Sequence, residues 1–196
     1  MRIETYIPGL SKNTVEIVKH AESLGYDALV SGELNNEPFL PVLLGLEHSK
    51  KMNVNLKGST ILDLFSGCGS FGIECLSRES GCVYFFENYF EAIKVLEKNL
   101  LLFKNEKKFQ IFKDNCFEYF DSDKKIDKKF DIIFIDPPYK EMKINMLIEK
   151  IIYRKLLKKD GILIIHRHKK DKIVITEKIN ILDTRTYGVS KVYFAN

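Results

Sequence analysis

Thr60-Ile61-Leu62-Asp63-Leu64-Phe65-Ser66-Gly67-Cys68-Gly69-Ser70-Phe71-Gly72 decides the fold. Thr60–Leu64 is a short apolar run of strand character, and the residues from Phe71 to Ser77 open a helix. Between them, glycines let the backbone turn sharply and come close to a ligand. A ligand in such a turn lies at the carboxyl end of a strand, beside a helix N-terminus. Gly67, Gly69 and Gly72 have the spacing of a dinucleotide fingerprint, but Asp63 leads them where a phosphate would sit. An acid there suits a ligand with an ammonium group, such as the methionine end of S-adenosylmethionine. The same residues also read as a tight βα turn with an N-capping acid.

Working outward, strands and helices alternate. Val83–Glu87 reads as a strand, Phe90–Phe103 as a helix, Phe109–Lys113 as a strand and Asn115–Phe120 as a short helix. Phe130–Asp136 is the most apolar strand. Leu147–Leu157 reads as a helix and Gly161–His166 as a strand. Lys172–Ile181 and Lys191–Ala195 are β-rich and close in sequence, which predicts a final antiparallel pair. This order implies an α/β fold with a mostly parallel sheet and helices on both faces. The Lys-rich runs Lys104–Lys108, Lys124–Lys129 and Arg167–Lys172 read as solvated loops.

Upstream lies a different piece. Arg2–Ile7 and Asp27–Ser31 read as strands. Val15, Val18, Ala21 and Leu24 between them have helical spacing, with Ser11 as N-cap and Gly25 as the stop. The prolines at 38 and 41 sit in an apolar stretch expected to re-enter a helix. Residues 1–50 hold four Lys/Arg and seven Asp/Glu, a net −3, which leaves +7 on the remainder of a chain of net +4. The expected division is an atypical leader over residues 1–49 and a main domain over 50–196.

The 196 residues, 45% hydrophobic and 30% charged, exclude wholesale disorder. No apolar run approaches the roughly 20 residues of a membrane-crossing helix. The four cysteines form no C-x-x-C pair, and the four histidines show no metal-ligand spacing. Reduced thiols, a cytoplasmic location, no metal and a monomer are the expectations.

Two further acids repeat the position of Asp63. Glu87 ends the second strand, where a carboxylate can accept both ribose hydroxyls of a nucleotide. Asp114, with Asn115, ends the third and can face an adenine amino group. Each alone is an ordinary loop acid, but three successive strand ends line one crevice. The sharpest signal is Asp136-Pro137-Pro138-Tyr139, directly after the apolar strand. Two prolines stiffen the loop and remove two backbone donors, leaving the carboxylate and carbonyls as acceptors. Such a site can hold both hydrogens of a planar –NH2, with Tyr139 stacked on its ring. A plain proline-stiffened turn is the alternative.

On these residues the chain from about Leu46 to Asn196 resembles the bacterial 16S ribosomal RNA (guanine-N2)-methyltransferase family, the RsmD type. The matching pieces are Ile61–Gly67, Gly72–Arg78, Phe86-Glu87, Phe130–Tyr139 and the tail Tyr187–Phe194. The resemblance implies a class I S-adenosylmethionine-dependent methyltransferase, with a Rossmann-like mixed sheet and an antiparallel C-terminal strand. It implies that Asp63, Phe65, Gly67, Gly69, Glu87, Asp114 and Asn115 bind S-adenosylmethionine. It also implies that Asp136, Pro137, Pro138 and Tyr139 handle a guanine amine of 16S ribosomal RNA, free or in an assembling small subunit. DNA adenine and protein glutamine amines are the alternative acceptors. Residues 1–45 are similar instead to the start of luciferase-like monooxygenases, on Tyr26–Leu29 and Asn36–Pro41, which points to a fusion or a joining artefact near Leu46–Ser49. Flavin chemistry needs a barrel of about 250 residues, so this segment cannot supply it. A cofactor-binding but catalytically impaired chain is the alternative reading, because the basic RNA-gripping leader of the family is replaced. Relatives often carry an acid after the fifth strand where this chain has His166-Arg167-His168, and His166 and His168 receive no role.

Overall fold

A computed structural model describes residues 4–7, 28–31, 55–101, 108–138, 141–171, 179–187 and 189–196. The chain divides into two compact units, Met1–Leu56 and Lys57–Asn196. In the first, strands β1 (Glu4–Ile7) and β2 (Ala28–Ser31) pair in parallel, from Glu4 with Ala28 to Ile7 with Ser31. A parallel pair needs a long crossover between its strands. The helix expected there, and the stretch 36–49, lie outside the described residues.

The second unit carries a seven-stranded sheet in the order β5-β4-β3-β6-β7-β9-β8 among the described residues. Its elements are β3 (Thr60–Leu64), α1 (Ser70–Ser77), β4 (Cys82–Phe86), α2 (Phe90–Leu100), β5 (Phe109–Phe112), α3 (Cys116–Asp121), β6 (Phe130–Ile135), α4 (Ile144–Tyr153), β7 (Leu157–His168), β8 (Ile181–Tyr187) and β9 (Ser190–Ala195). Strands β3 to β7 are parallel, and β9 runs antiparallel to both β7 and β8. The mostly parallel sheet is what the alternation implied, and the mixed class I form with an antiparallel C-terminal strand is what the resemblance implied.

The central strands are apolar on both faces because both faces are covered. Leu62, Leu64, Ile133, Ile135, Leu163 and Ile165 join one core with Tyr119 and Phe120 of α3 and Ile144, Leu147, Ile148 and Ile151 of α4. The alternate residues face α1. Phe134 stacks on Phe71 with ring centroids 4.0 Å apart. Gly72 of α1 lies so close to β4 that an added Cβ would overlap the Phe85 ring and come within 2.8 Å of Val83 Cγ1.

Four local expectations need correction. Helix α4 spans Ile144–Tyr153 rather than 147–157, and β7 starts at Leu157 rather than Gly161. Lys155 stands at φ 52, which breaks the helix. Lys158-Lys159-Asp160-Gly161, turn-like in composition, is absorbed in a register shift of β7 against Phe130 and Ile132. The final pair is β8 with β9, so the outer strand begins at Ile181, where the Lys172–Ile181 reading ends. Residues 172–178 lie outside the described set. Arg167, read as part of a solvated loop, is in β7 and only 6% exposed.

Gly72→Ala tests the closest of these approaches. The added methyl overpacks the α1–β4 contact, so the variant is expected to lose about 1–3 kcal/mol in urea unfolding, with most of its helical signal intact.

Candidate active site at the carboxyl edge of the sheet

The parallel register builds the site. Leu64 pairs with Phe86 on one side and Ile135 on the other, and Ile135 pairs with Ile165. The next residues along these strands are Phe65, Glu87, Asp136 and His166. All four line one cleft of about 570 Å³, with Gly67, Asn88, Tyr89, Ala92, Pro137 and Pro138. The size lies in the range of about 300–1,000 Å³ usual for small-ligand sites. A smaller pocket, sharing Phe65, Glu87 and Asn88, is lined by Asp114, Asn115 and Cys116.

The glycine loop is held by two carboxylates. Asp63 is 1% exposed and does not line the cleft. Its Oδ2 accepts from the Gly72 amide at 3.1 Å, which ties the end of β3 to the start of α1. Glu87 Oε2 accepts from the Gly67 amide at 2.7 Å, and Oε1 accepts from the amides of Asn88 and Tyr89, each at 2.8 Å. Three amide donors make this partly exposed carboxylate a fixed feature of the cleft wall. Gly69 caps α1 at φ 87, a conformation that a side chain resists. Phe65 itself stands at φ 63, and its ring packs on Phe117 at 5.6 Å. A positive φ on a bulky residue costs on the order of 1–3 kcal/mol and is typical of ligand sites.

Asp114 and Asn115 have partners of their own. Lys124 Nζ donates to Asp114 Oδ1 at 2.8 Å, and that hydrogen bond raises the lysine above its ordinary pKa. Asn115 caps α3, accepting from the amides of Phe117 and Glu118. Neighbouring Cys116 is buried, and burial pushes its thiol up to about 12, with Glu141 and Glu87 adding repulsion against a thiolate. This cysteine is therefore packing, not a nucleophile.

The Asp-Pro-Pro loop is anchored from β7. Asp136 Oδ1 lies 2.6 Å from His166 Nδ1. Arg167 donates to the Pro138 carbonyl at 3.3 Å and to the Glu141 carbonyl at 2.9 Å, and pairs with Asp171 at 2.7 Å. The Glu141 amide also donates to the Pro138 carbonyl, at 2.9 Å. Of the two proline carbonyls, that of Pro138 is thus engaged, and the Pro137 carbonyl accepts no hydrogen bond among the described residues. Tyr139 lies outside the described residues.

The structure therefore brings Phe65, Gly67, Glu87, Asp136, Pro137 and Pro138 to one cleft and Asp114 and Asn115 to its side pocket, while Asp63 supports from beneath. Sequence reasoning missed His166 and Arg167. The signal was present, since His166 follows Ile164-Ile165 as Asp136 follows Phe134-Ile135. Among the described residues no group of His, Cys, Asp or Glu is placed to hold a metal ion.

A family model, described as conserved hypothetical protein 95, matches residues 46–196. The chain belongs to that family, the RsmD type. It is 31% identical over 136 residues to "Putative rRNA methyltransferase YlbH" of Bacillus subtilis, covering 69% of this chain and 74% of that protein. It is also 31% identical over 120 residues to ribosomal RNA small subunit methyltransferase D of Buchnera aphidicola, covering 61% of each. A conserved hypothetical protein of Streptococcus pyogenes superposes with a TM-score of 0.64 at 27% identity, over 71% of this chain and 86% of that one. The fold is shared too with a chain described as "a putative methyltransferase complexed with SAH", at a TM-score of 0.62 and 17% identity, over 78% of this chain and 48% of that one.

Accessibility and thiol chemistry separate the cysteines. Iodoacetamide at pH 8 is expected to modify exposed Cys68 in the native chain and to spare Cys116 until urea is added. Because its thiol stays protonated to about 12, raising the pH to 9 should leave native Cys116 unmodified, as peptide mass spectrometry would report.

Proposed function

We propose that the chain is an S-adenosylmethionine-dependent ribosomal RNA methyltransferase, and that its acceptor is the exocyclic N2 of a guanine in 16S ribosomal RNA. One observation carries the reading. Asp136 and Pro137, which bring a carboxylate and a carbonyl with no backbone N–H between them, line the same cleft as Glu87 and Gly67. The named relatives, two of them rRNA methyltransferases by description, support the RNA class.

The residues present fit the cofactor. Its bound form supplies a methyl group on a positively charged sulfur, electrophilic without metal assistance. Glu87, already fixed by three amides, offers acceptor oxygens to ribose hydroxyls. Asp114 and Asn115 border the side pocket on the adenine side. Gly67 presents bare backbone to the methionine portion; Gly69, which does not line the cleft, makes the turn into α1, and Asp63 ties β3 to that helix through Gly72. Phe65 lines both pockets.

Asp136 and the Pro137 carbonyl accept the two hydrogens of the target amine. An aryl amine is a weak nucleophile because its lone pair is delocalised into the ring. Two acceptors that draw its hydrogens aside leave the lone pair facing the methyl carbon. Orientation of this kind can supply several kcal/mol of the barrier, provided the reacting atoms sit at roughly 3–3.5 Å. The guanine has to leave its stack to reach the cleft, and Tyr139 is proposed to stack on it there.

Calorimetry on Glu87→Ala should show S-adenosylmethionine binding weakened by about 1.5–3 kcal/mol, the scale of a hydrogen bond to a charged group. Asp136→Ala should keep cofactor affinity and lose methyl transfer. Nucleoside mass spectrometry of small-subunit RNA treated with the parental chain is expected to give N2-methylguanosine. Methylation of DNA adenine or protein glutamine in its place would reassign the acceptor, and no cofactor binding by the folded chain would end the proposal.

A further inference from the structure

We infer that His166 is a positioning residue for the methyl-transfer site, fixing the Asp136 carboxylate so that one oxygen is engaged and the other is presented to the target amine. The inference rests on the methyltransferase reading for its consequence, but its geometry stands apart from it.

Three observations meet at this pair. Asp136 and His166 each follow a residue of the register pair Ile135 and Ile165, on adjacent parallel strands. Their side chains therefore leave the sheet side by side, on the face continued from Phe134 and Ile164. The Nδ1···Oδ1 separation of 2.6 Å is that of a charge-assisted hydrogen bond. The two groups differ in exposure: the His166 side chain is 6% exposed and that of Asp136 is 32% exposed. The imidazole is thus built into the wall, while the carboxylate reaches the cleft.

The chemistry fixes the direction of the bond. An ionised carboxylate only accepts, so Nδ1 carries the hydrogen and donates it to Oδ1. Oδ1 is then spent, and among the described residues Oδ2 takes no hydrogen bond, so Oδ2 is the oxygen left for the target amine. Without the imidazole, the carboxylate can rotate about its Cβ–Cγ bond, a broad torsion with little preference of its own. An acceptor free to rotate no longer defines which way the amine lone pair points. His166 acts on nitrogen alignment through Asp136 and makes no contact with the reacting atoms.

Arg167, the next residue of β7, does the parallel task for the other end of the loop by holding the Pro138 carbonyl. Two consecutive residues of one strand thus set the start and the end of the Asp-Pro-Pro segment.

The test has two arms. In the first, the free chain is labelled with 15N-histidine, and the His166 signals are assigned by their loss in His166→Asn. A hydrogen bonded to Nδ1 is expected, with a resonance that shifts or vanishes in Asp136→Ala. A bare Nδ1 overturns the inference, and this arm needs no RNA. In the second arm, His166→Ala is expected to lower kcat for RNA methylation by roughly 10- to 100-fold, the scale of a misplaced reacting group. Cofactor affinity and KM for RNA should stay essentially unchanged. His166→Asn, whose amide N–H falls near the place of Nδ1, should restore most of kcat, and His166→Gln should not. Parental kcat in His166→Ala, or equal rescue by Asn and Gln, overturns the inference. A parental chain that methylates no RNA removes the guanine reading, and the spectrum alone then decides the positioning role.

Discussion

The site depends on the parallel register of β4, β3, β6 and β7. Leu64 is matched to Phe86 and Ile135, and Ile135 to Ile165, so the strands end level. Backbone bonds carry this pairing just past the strand ends: the Ser66 amide donates to the Phe86 carbonyl at 2.9 Å, and the Asp136 amide to the Leu64 carbonyl at 3.3 Å. Because side chains alternate with a period of two, a slip of one residue in β6 would turn Asp136 to the opposite face. The run Ile132–Ile135 is apolar on both faces, so the acids that bracket it forbid the slip: it would put Asp131 or Asp136 where a buried isoleucine now sits. Packing far from any chemistry thereby fixes which polar groups meet in the cleft.

Polar groups at such an edge are costly unless each has a partner. Asp63 is almost fully buried, and its carboxylate takes the Gly72 amide at the start of α1. Glu87 takes three amides, that of Gly67 in the glycine loop and those of Asn88 and Tyr89, donors that the turn into α2 leaves open. Arg167, buried in β7, spreads its charge over two carbonyls and Asp171. The same bonds that stabilise these charges also hold the loops still. The cleft wall is therefore preorganised by interactions the fold requires in any case.

Much of this was legible in the sequence because it is local. Thr60–Gly72 announces strand, turn and helix within one window, and the apolar run before Asp136 marks a central strand without help from elsewhere. What was illegible depends on distant partners. Lys158–Gly161 has turn composition, yet pairing with β6 draws it into β7. Arg167 sits in a run of basic residues whose composition says solvent, and it is buried because two loop carbonyls, 26 and 29 residues away, need a donor. Asp63 read as a ligand-facing acid because its position beside a glycine loop does not reveal which way the carboxylate turns. Its burial follows from α1 packing onto β3, which no local pattern encodes.

The identities at the Asp-Pro-Pro loop fit one another. Pro137 and Pro138 bring no backbone N–H, so the loop offers acceptors only. Arg167 and the Glu141 amide then use up the Pro138 carbonyl, which leaves the Pro137 carbonyl and the carboxylate. With a hydrogen on His166 Nδ1, the oxygen nearest to it is taken as well. An Asn at position 136 would accept that hydrogen through its amide oxygen and turn its NH2 toward the cleft, donor against the donors of an incoming amine. A carboxylate has a second acceptor in the same place. The histidine beside it thus makes Asp, rather than Asn, the side chain that completes the proposed amine-holding site on this sheet edge.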